Sequence, residues 1–165
     1  MSTRTRRRFA HLRKILLASA LLAALEAAFA ALFVTESVSP SLGTLLGGAS
    51  GRNFILNTDG SVSGTDAADY LFGAVAGDVT AKKTGGSQSA NIVADNFSTT
   101  GGVSINAVPC KWETDTATTC DGAGITVTLG GQTKHLLVGV DLDTDQAHSG
   151  GDSPTATYDI NVTLL

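Results

Sequence analysis

The sequence predicts an all-β fold, an antiparallel Ig-like or jelly-roll-like β-sandwich of about seven to nine short strands. Two runs near the C-terminus, residues 135–143 and 156–165, alternate apolar and polar side chains, which is typical of half-buried antiparallel strands. Turn-forming residues recur about every 8–12 positions. The 19 glycines and an aromatic content of 5% also suit short strands joined by turns.

The first thirty residues are typical of an export signal. Residues 1–14 carry basic side chains and no acid, residues 15–34 are nearly all apolar, and Ala28-Phe29-Ala30 provides a small-x-small cleavage site. We predict a helical signal peptide over residues 1–30. An uncleaved N-terminal membrane anchor is the alternative, because about 20 apolar residues span a bilayer. In either case the domain is exported to the periplasm, the cell surface or the medium.

Residues 31–51 are predicted to form a flexible linker or arm, because small residues dominate there and Pro40 interrupts them. Residues 52–165 are predicted to be the β-sandwich domain. Its first hairpin joins residues 53–57 to a short return strand at Val62. The intervening Asp59-Gly60 favours a tight type I′ turn.

The remaining strands are predicted from short apolar alternations that Gly-rich turns separate. Phe97 ends one of them and is expected to fill the core, and the final run is expected to pair antiparallel to a neighbour within its own domain. The residues that should face the core in this final run are Tyr158, Ile160, Val162 and Leu164. The predicted strands are residues 70–77, 78–83, 90–97, 103–109, 125–129, 135–143 and 156–165.

The charge distribution argues against nucleic acid as a partner. The net charge is −4, and seven of the 11 basic residues precede residue 53, so the domain itself is more acidic than the whole chain. Nucleic-acid binding requires a basic surface. Contact with a membrane is expected only through the N-terminal segment, and only if that segment is not cleaved.

Cys110 and Cys120 are the only cysteines of the chain. In an exported protein they are expected to form a disulfide that closes residues 111–119, with a structural role. Zinc binding is the alternative, but no second cysteine pair or nearby histidine supports it.

Asp141, Asp143 and Asp145 form an alternating acidic set that resembles the start of a calcium loop. Gln146 stands where an EF-hand requires glycine, and no glutamate closes the loop. The alternative is a solvated strand face that protects a sheet edge from pairing. We therefore predict no cofactor.

Catalytic patterns are missing from the domain, so we predict that the protein is not an enzyme. Neither His135 nor His148 has a serine or cysteine at the spacing of a known nucleophile motif. Trp112, inside the predicted disulfide loop, is a candidate for displaying an aromatic ring to a sugar or a protein. Its alternative role is packing over the disulfide.

Several short segments carry a family resemblance. They are Leu-Phe-Gly at residues 71–73, Asn-Phe-Ser-Thr-Thr-Gly at 96–101, Leu-Val-Gly-Val-Asp-Leu at 137–142 and Ala-Thr-Tyr-Asp-Ile-Asn-Val at 156–162. Over residues 70–164 the chain resembles the secreted bacterial family known as "domain of unknown function 4402". The cysteine loop and the added sequence before Leu71 depart from the family.

The resemblance implies an exported β-sandwich similar to fimbrial and spore-coat-type subunits, with no catalytic residues to carry over. We therefore expect a non-enzymatic cell-surface or fimbria-like structural subunit. Its partners would be other copies of itself or envelope proteins, joined by strand addition through residues 32–38 or 52–57. The alternative is a monomeric module that binds a glycan or a protein through Trp112.

Overall fold

The chain folds almost entirely into antiparallel β-structure. The computed structural model describes residues 31–45, 48–148 and 155–165, so the predicted signal peptide lies outside the described residues. The strands are β1 (Leu32–Val38), β2 (Thr44–Leu45), β3 (Asn53–Leu56), β4 (Val62–Ser63), β5 (Tyr70–Phe72), β6 (Gly77–Lys83), β7 (Gln88–Thr100), β8 (Val103–Ala107), β9 (Pro109–Trp112), β10 (Thr118–Thr119), β11 (Ile125–Leu129), β12 (Lys134–Val138), β13 (Val140–Thr144) and β14 (Thr155–Leu164).

The predicted all-β, antiparallel sandwich is confirmed. The prediction of seven to nine strands was too low, since the described part of the chain holds fourteen. Four of these strands are only two or three residues long. A segment of that length is too short for the alternation on which a sequence-based prediction depends.

Two sheets pack face to face around the main core. One has the order β1-β6-β12-β9-β10 and the other has the order β11-β7-β14. Alternate residues of β6 and β7 point inward, for example Val79, Ala81, Ala90 and Ile92, and all four are buried. Both sheets contribute side chains to one buried cluster, as the two inner faces of a sandwich do.

A third sheet, of order β4-β3-β13-β8, continues from the first sheet through Gly139. The sequence predicts one strand over residues 135–143, but the chain changes sheet there: Val138 ends β12 and Val140 begins β13. A Cβ atom on Gly139 would lie 1.9 Å from the carbonyl oxygen of Leu56. Only glycine therefore permits this close backbone approach, which divides the predicted strand in two.

The predicted first hairpin is confirmed, with a longer turn than expected. In the pairing of β3 with β4, Leu56 is opposite Val62, and the Asn57 amide donates to the Ser61 carbonyl at 2.8 Å, so three residues, 58–60, rather than two form the turn. Gly60 has a positive φ of 82°, and the carboxylate of Asp59 accepts hydrogen bonds from the backbone N and the hydroxyl of Ser61 at 2.9 and 2.6 Å. This Asx-type turn makes the two-residue type I′ turn unnecessary.

The final strand pairs as predicted, whereas Phe97 does not lie where it was expected. β14 runs antiparallel to β7, and its alternate residues from Tyr158 to Leu164 pack against the core. Asn96 has a φ of 51° at an irregularity in β7, which alters the alternation before Phe97. The Phe97 side chain is consequently 47% exposed, and its ring contacts the Tyr158 ring edge-on at 6.4 Å between centroids.

Helical structure is limited to a single 3-10 turn, Ala67–Asp69, in the part of the chain that the structure describes. No helix in that part is long and apolar enough to cross a membrane.

Candidate functional site

The most distinctive element is the N-terminal arm, defined here as residues 31–45. The sequence predicts a flexible linker there, but the arm pairs antiparallel with residues 70–83, which we call the docking strip. Leu32 is opposite Lys83, Ser41 is opposite Val75, and Leu45 is opposite Tyr70. A single antiparallel register, with small shifts near Val38 and Leu45, therefore joins the arm to the strip from end to end.

Backbone hydrogen bonds hold the arm at both ends and in the middle. At its start, the amide N of Ala31 donates to Thr84 Oγ1 at 2.9 Å, and the Thr84 amide N donates to the Ala31 carbonyl at 3.0 Å. In the middle, Ser41 and Val75 exchange two backbone hydrogen bonds at 2.8 and 2.7 Å. Such pairing satisfies the backbone of a segment whose side chains show no strand pattern.

The side chains of the arm contribute little to the core. Leu32 packs against the main buried cluster, but Val34 is 40% exposed although it is opposite the buried Ala81. Glu36 follows on the same inward-facing row, opposite Val79. Because so little apolar surface is buried, the arm resembles the less stable regions of a protein, which open before the core does.

In the described part of the chain, two strands of the sandwich, β1 and β14, form sheet edges and pair on one side only. β1 ends the order of the first sheet and β14 ends the order of the second. The Glu36 carboxylate on β1 contributes to raising the pKa of Tyr158 on β14. Neither strand contains lysine or proline, but each carries an acid, Glu36 or Asp159, and an irregularity in its register, which limit pairing of the edge with another chain.

Exposed apolar side chains concentrate on the arm and the docking strip. Among the described residues, eight large apolar side chains are strongly exposed, and six of them lie on these two segments. Surface patches of this kind on soluble proteins commonly mark interaction sites. The six residues are Phe33, Val34, Val38, Leu71, Phe72 and Val75.

Tyr158 connects the arm side of the sandwich to the strand crossing at Gly139. Its hydroxyl donates a hydrogen bond to the Gly139 carbonyl at 2.9 Å. Burial raises the pKa of Tyr158 well above its usual value, and the nearby Glu36 carboxylate raises this pKa further. The phenol therefore stays protonated, as the hydrogen bond requires.

The predicted disulfide between Cys110 and Cys120 is confirmed. Both cysteines are fully buried in the main cluster, and their Cα atoms are 5.8 Å apart. The Cys120 carbonyl accepts a hydrogen bond from the Ala94 amide of β7 at 2.8 Å. The bridge thus stabilises the place where the two packed sheets meet, which is a structural role.

Trp112 is not displayed as the sequence suggested. Its side chain is 8% exposed and belongs to the same buried cluster as the disulfide. Trp112 borders a shallow, mostly polar groove of about 480 Å³ that Glu113, Asp115, Thr126 and Lys134 help to line. A buried ring offers no face for a sugar to stack on, so the alternative binding-module hypothesis loses the residue that motivated it.

Two members of the acidic set, Asp141 and Asp143, lie on the interior strand β13, and Asp145 directly follows that strand. β13 runs between β3 and β8, so these aspartates do not protect a sheet edge. The Asn53 side-chain amide donates to Asp141 at 2.7 Å and to Asp143 at 2.9 Å, and Ser104 donates to Asp145 at 3.0 Å. Across the described residues, no group of three or more His, Cys, Asp or Glu side chains is arranged to hold a metal ion.

Sequence reasoning named part of the arm but missed its partner. Residues 32–38 were one of two proposed exchangeable strands, and they form β1; the other, residues 52–57, largely forms β3, an interior strand of the third sheet. In the docking strip, the sequence shows only an apolar run followed by two lysines at residues 82 and 83. This pattern does not indicate which segment pairs with the strip.

Comparison with known proteins adds no named relative. No protein-family model, no curated protein and no solved structure matches the chain.

Proposed function

We propose that the chain is an exported, non-enzymatic subunit of a cell-surface or fimbria-like structure, and that its copies join by strand addition. The observation that carries this proposal is the arm itself. It pairs along the docking strip in one register, yet it buries little beyond Leu32. A segment held mainly by backbone hydrogen bonds can be replaced by the same segment of another copy, because the replacement makes the same bonds.

The compartment is consistent with this role. The buried disulfide indicates an oxidising, exported environment. The arm also bears on the membrane-anchor alternative, because residues 31–34 of the apolar run belong to the docked arm. The 16 residues left, 15–30, would extend only about 24 Å as a helix, whereas the hydrocarbon core is about 30 Å thick. This favours cleavage before Ala31.

The family resemblance also supports a structural subunit. The segments similar to the "domain of unknown function 4402" family fall on β5, β7, β12, β13 and β14, which include strands of all four sheets. They include the crossing at Gly139, where glycine is required by the approach to Leu56. We propose on this basis that the chain shares the exported β-sandwich architecture that the resemblance implies.

An engineered disulfide tests the strand addition directly. Thr35 and Thr80 are opposite each other in the pairing of β1 with β6. Opposed Cα atoms in an antiparallel pair are about 4.5–5.5 Å apart, which a disulfide can bridge. We therefore expect the Thr35→Cys/Thr80→Cys variant, exported with its native N-terminus, to form covalently linked chains that appear as a ladder on non-reducing gels.

A second cysteine pair provides the matched control. Asn91 and Thr126 are opposite each other in β7 and β11, two strands of the body that no exchange of the arm would separate. Asn91→Cys/Thr126→Cys should therefore link only within one chain. If Thr35→Cys/Thr80→Cys also links only within one chain, at every protein concentration and on the cell surface, strand addition through the arm is excluded.

Electron microscopy of the native cell surface, with a tag on this protein, tests the structural role separately. Tagged filaments or a tagged surface layer would support it. A tag found only on dispersed single molecules would contradict it.

A further inference from the structure

We propose that two copies joined by an arm also touch through a second surface, the tip patch, which consists of Leu71, Phe72 and Val75. This inference rests on the proposed exchange of the arm. The three side chains are 46%, 66% and 46% exposed. β5, which carries two of them, pairs with β2 in a separate two-stranded sheet. Isolated two-stranded pairs are marginally stable in water, so this one is suited to packing against a partner.

A short hinge fixes how far apart two joined copies can be. The arm ends at Leu45, which is opposite Tyr70. Only three residues further on, Gly48 is held to its own body, where its carbonyl accepts a hydrogen bond from the His148 amide at 2.8 Å. Three residues reach about 10 Å at most. In an exchanged pair, the donor's Leu45 is opposite the acceptor's Tyr70 at about 5 Å between Cα atoms, so the donor's Gly48 must lie within about 15 Å of that tyrosine.

The donor's own Tyr70, which directly precedes its tip patch, also lies near its Gly48. A Cβ atom on Gly48 would be 2.4 Å from Cζ of Arg52, so Gly48 lies against that guanidinium group. Arg52 forms an ion pair with Asp69, the residue that precedes Tyr70 in the chain. These contacts stay within the donor body during exchange. The hinge consequently brings the start of the donor's β5 close to the start of the acceptor's β5.

The chemistry of the two surfaces fits this contact. Residues 70–77 contain no charged side chain, and the exposed members are apolar. When the short hinge brings two such patches together, their contact removes apolar surface from water. No charged group has to be buried for this contact to form. In the joined pair, the tip patch of one copy therefore contacts the tip patch of the other. In the closed monomer the same side chains remain in water.

The test uses the Thr35→Cys/Thr80→Cys chain as its background. Adding Phe72→Ser should reduce the fraction of interchain disulfide about tenfold or more at a fixed concentration, because an exposed phenylalanine would no longer be buried between copies. The stability of the monomer should stay unchanged, since Phe72 is 66% exposed there. Leu165→Ser is the matched control: Leu165 is 64% exposed and lies outside the arm and the docking strip, so this change should leave the interchain fraction unaltered.

The outcomes separate the two proposals. Loss of all interchain disulfide in the background chain would remove the arm exchange and this inference together. An interchain fraction that Phe72→Ser leaves unchanged would overturn the tip contact alone. Val75→Cys provides a second readout in an otherwise unaltered chain. Its thiol should react with a maleimide in the monomer and be protected in the joined fraction, whereas equal reactivity in both would overturn the tip contact.

Discussion

Tyr158 should make the free energy of unfolding fall as the pH rises above about 10. Its hydroxyl donates to the Gly139 carbonyl, and burial raises the pKa of this phenol in the folded state. In the unfolded chain the phenol titrates near its usual value of about 10. Below that pH both states are protonated, and the contribution to stability is complete. Above it the unfolded state loses the proton first, so stability falls as pH rises.

The size of the effect follows from the two titrations. Each pH unit above the unfolded pKa lowers the free energy of unfolding by about 1.4 kcal/mol for as long as the folded phenol stays protonated. Tyr158→Phe removes both the titration and the hydrogen bond. At pH 7 the variant should be less stable than the wild type by about 1 kcal/mol. At pH 11 that difference should shrink to about zero or reverse.

Urea denaturation followed by far-UV circular dichroism, at several pH values from 7 to 11, measures this comparison. The other titrating groups of the chain contribute equally to both proteins, so their effects cancel in the difference between wild type and variant. A wild type and a Tyr158→Phe variant with parallel pH profiles up to pH 11 would refute the reasoning. Such a result would mean that the phenol titrates alike in the folded and unfolded states.

Two further changes test the framework around this residue. Replacing Cys110 and Cys120 with alanine should lower the free energy of unfolding by about 2–3 kcal/mol, because the unfolded chain regains the entropy of a closed loop; urea denaturation measures this, and a loss below about 1 kcal/mol would contradict it. Gly139→Ala should cost about 3 kcal/mol or prevent folding, because the new Cβ overlaps the Leu56 carbonyl. The control is Gly131→Ala, which has open space around it and should melt close to the wild-type temperature.

The periodicity of the sequence correctly predicted the strands in which alternating apolar side chains determine which face is buried. The alternation from Tyr158 to Leu164 identified both the last strand and its inward face, because successive side chains of a strand point to opposite sides whatever strand lies beside them. The two cysteines predicted the disulfide for a comparable reason. A chain with a single cysteine pair has only one intramolecular disulfide that it can form.

Periodicity did not predict the structure where backbone pairing or backbone conformation determines it. The arm mixes exposed apolar side chains with Ser, Thr, Gly and Pro and shows no strand alternation, yet its backbone pairs with that of the docking strip. Gly139 appeared to continue one strand and instead transfers the chain to another sheet. The positive φ of Asn96 turned Phe97 away from the core. For the arm and for Gly139 the determining contact is with a backbone far away in the sequence, and no local pattern records it.

The sequence by itself therefore determined the fold class, the inward faces of the longest strands and the disulfide, since these depend on side-chain chemistry and spacing within short segments. Only the tertiary structure decided which strands are neighbours, that Trp112 is buried, that the aspartates of β13 lie inside a sheet, and that the arm occupies the edge of β6. The physical reason is that strand pairing depends on backbone hydrogen bonds, which nearly every residue type can make. The choice among partners is made by the packing of the whole chain.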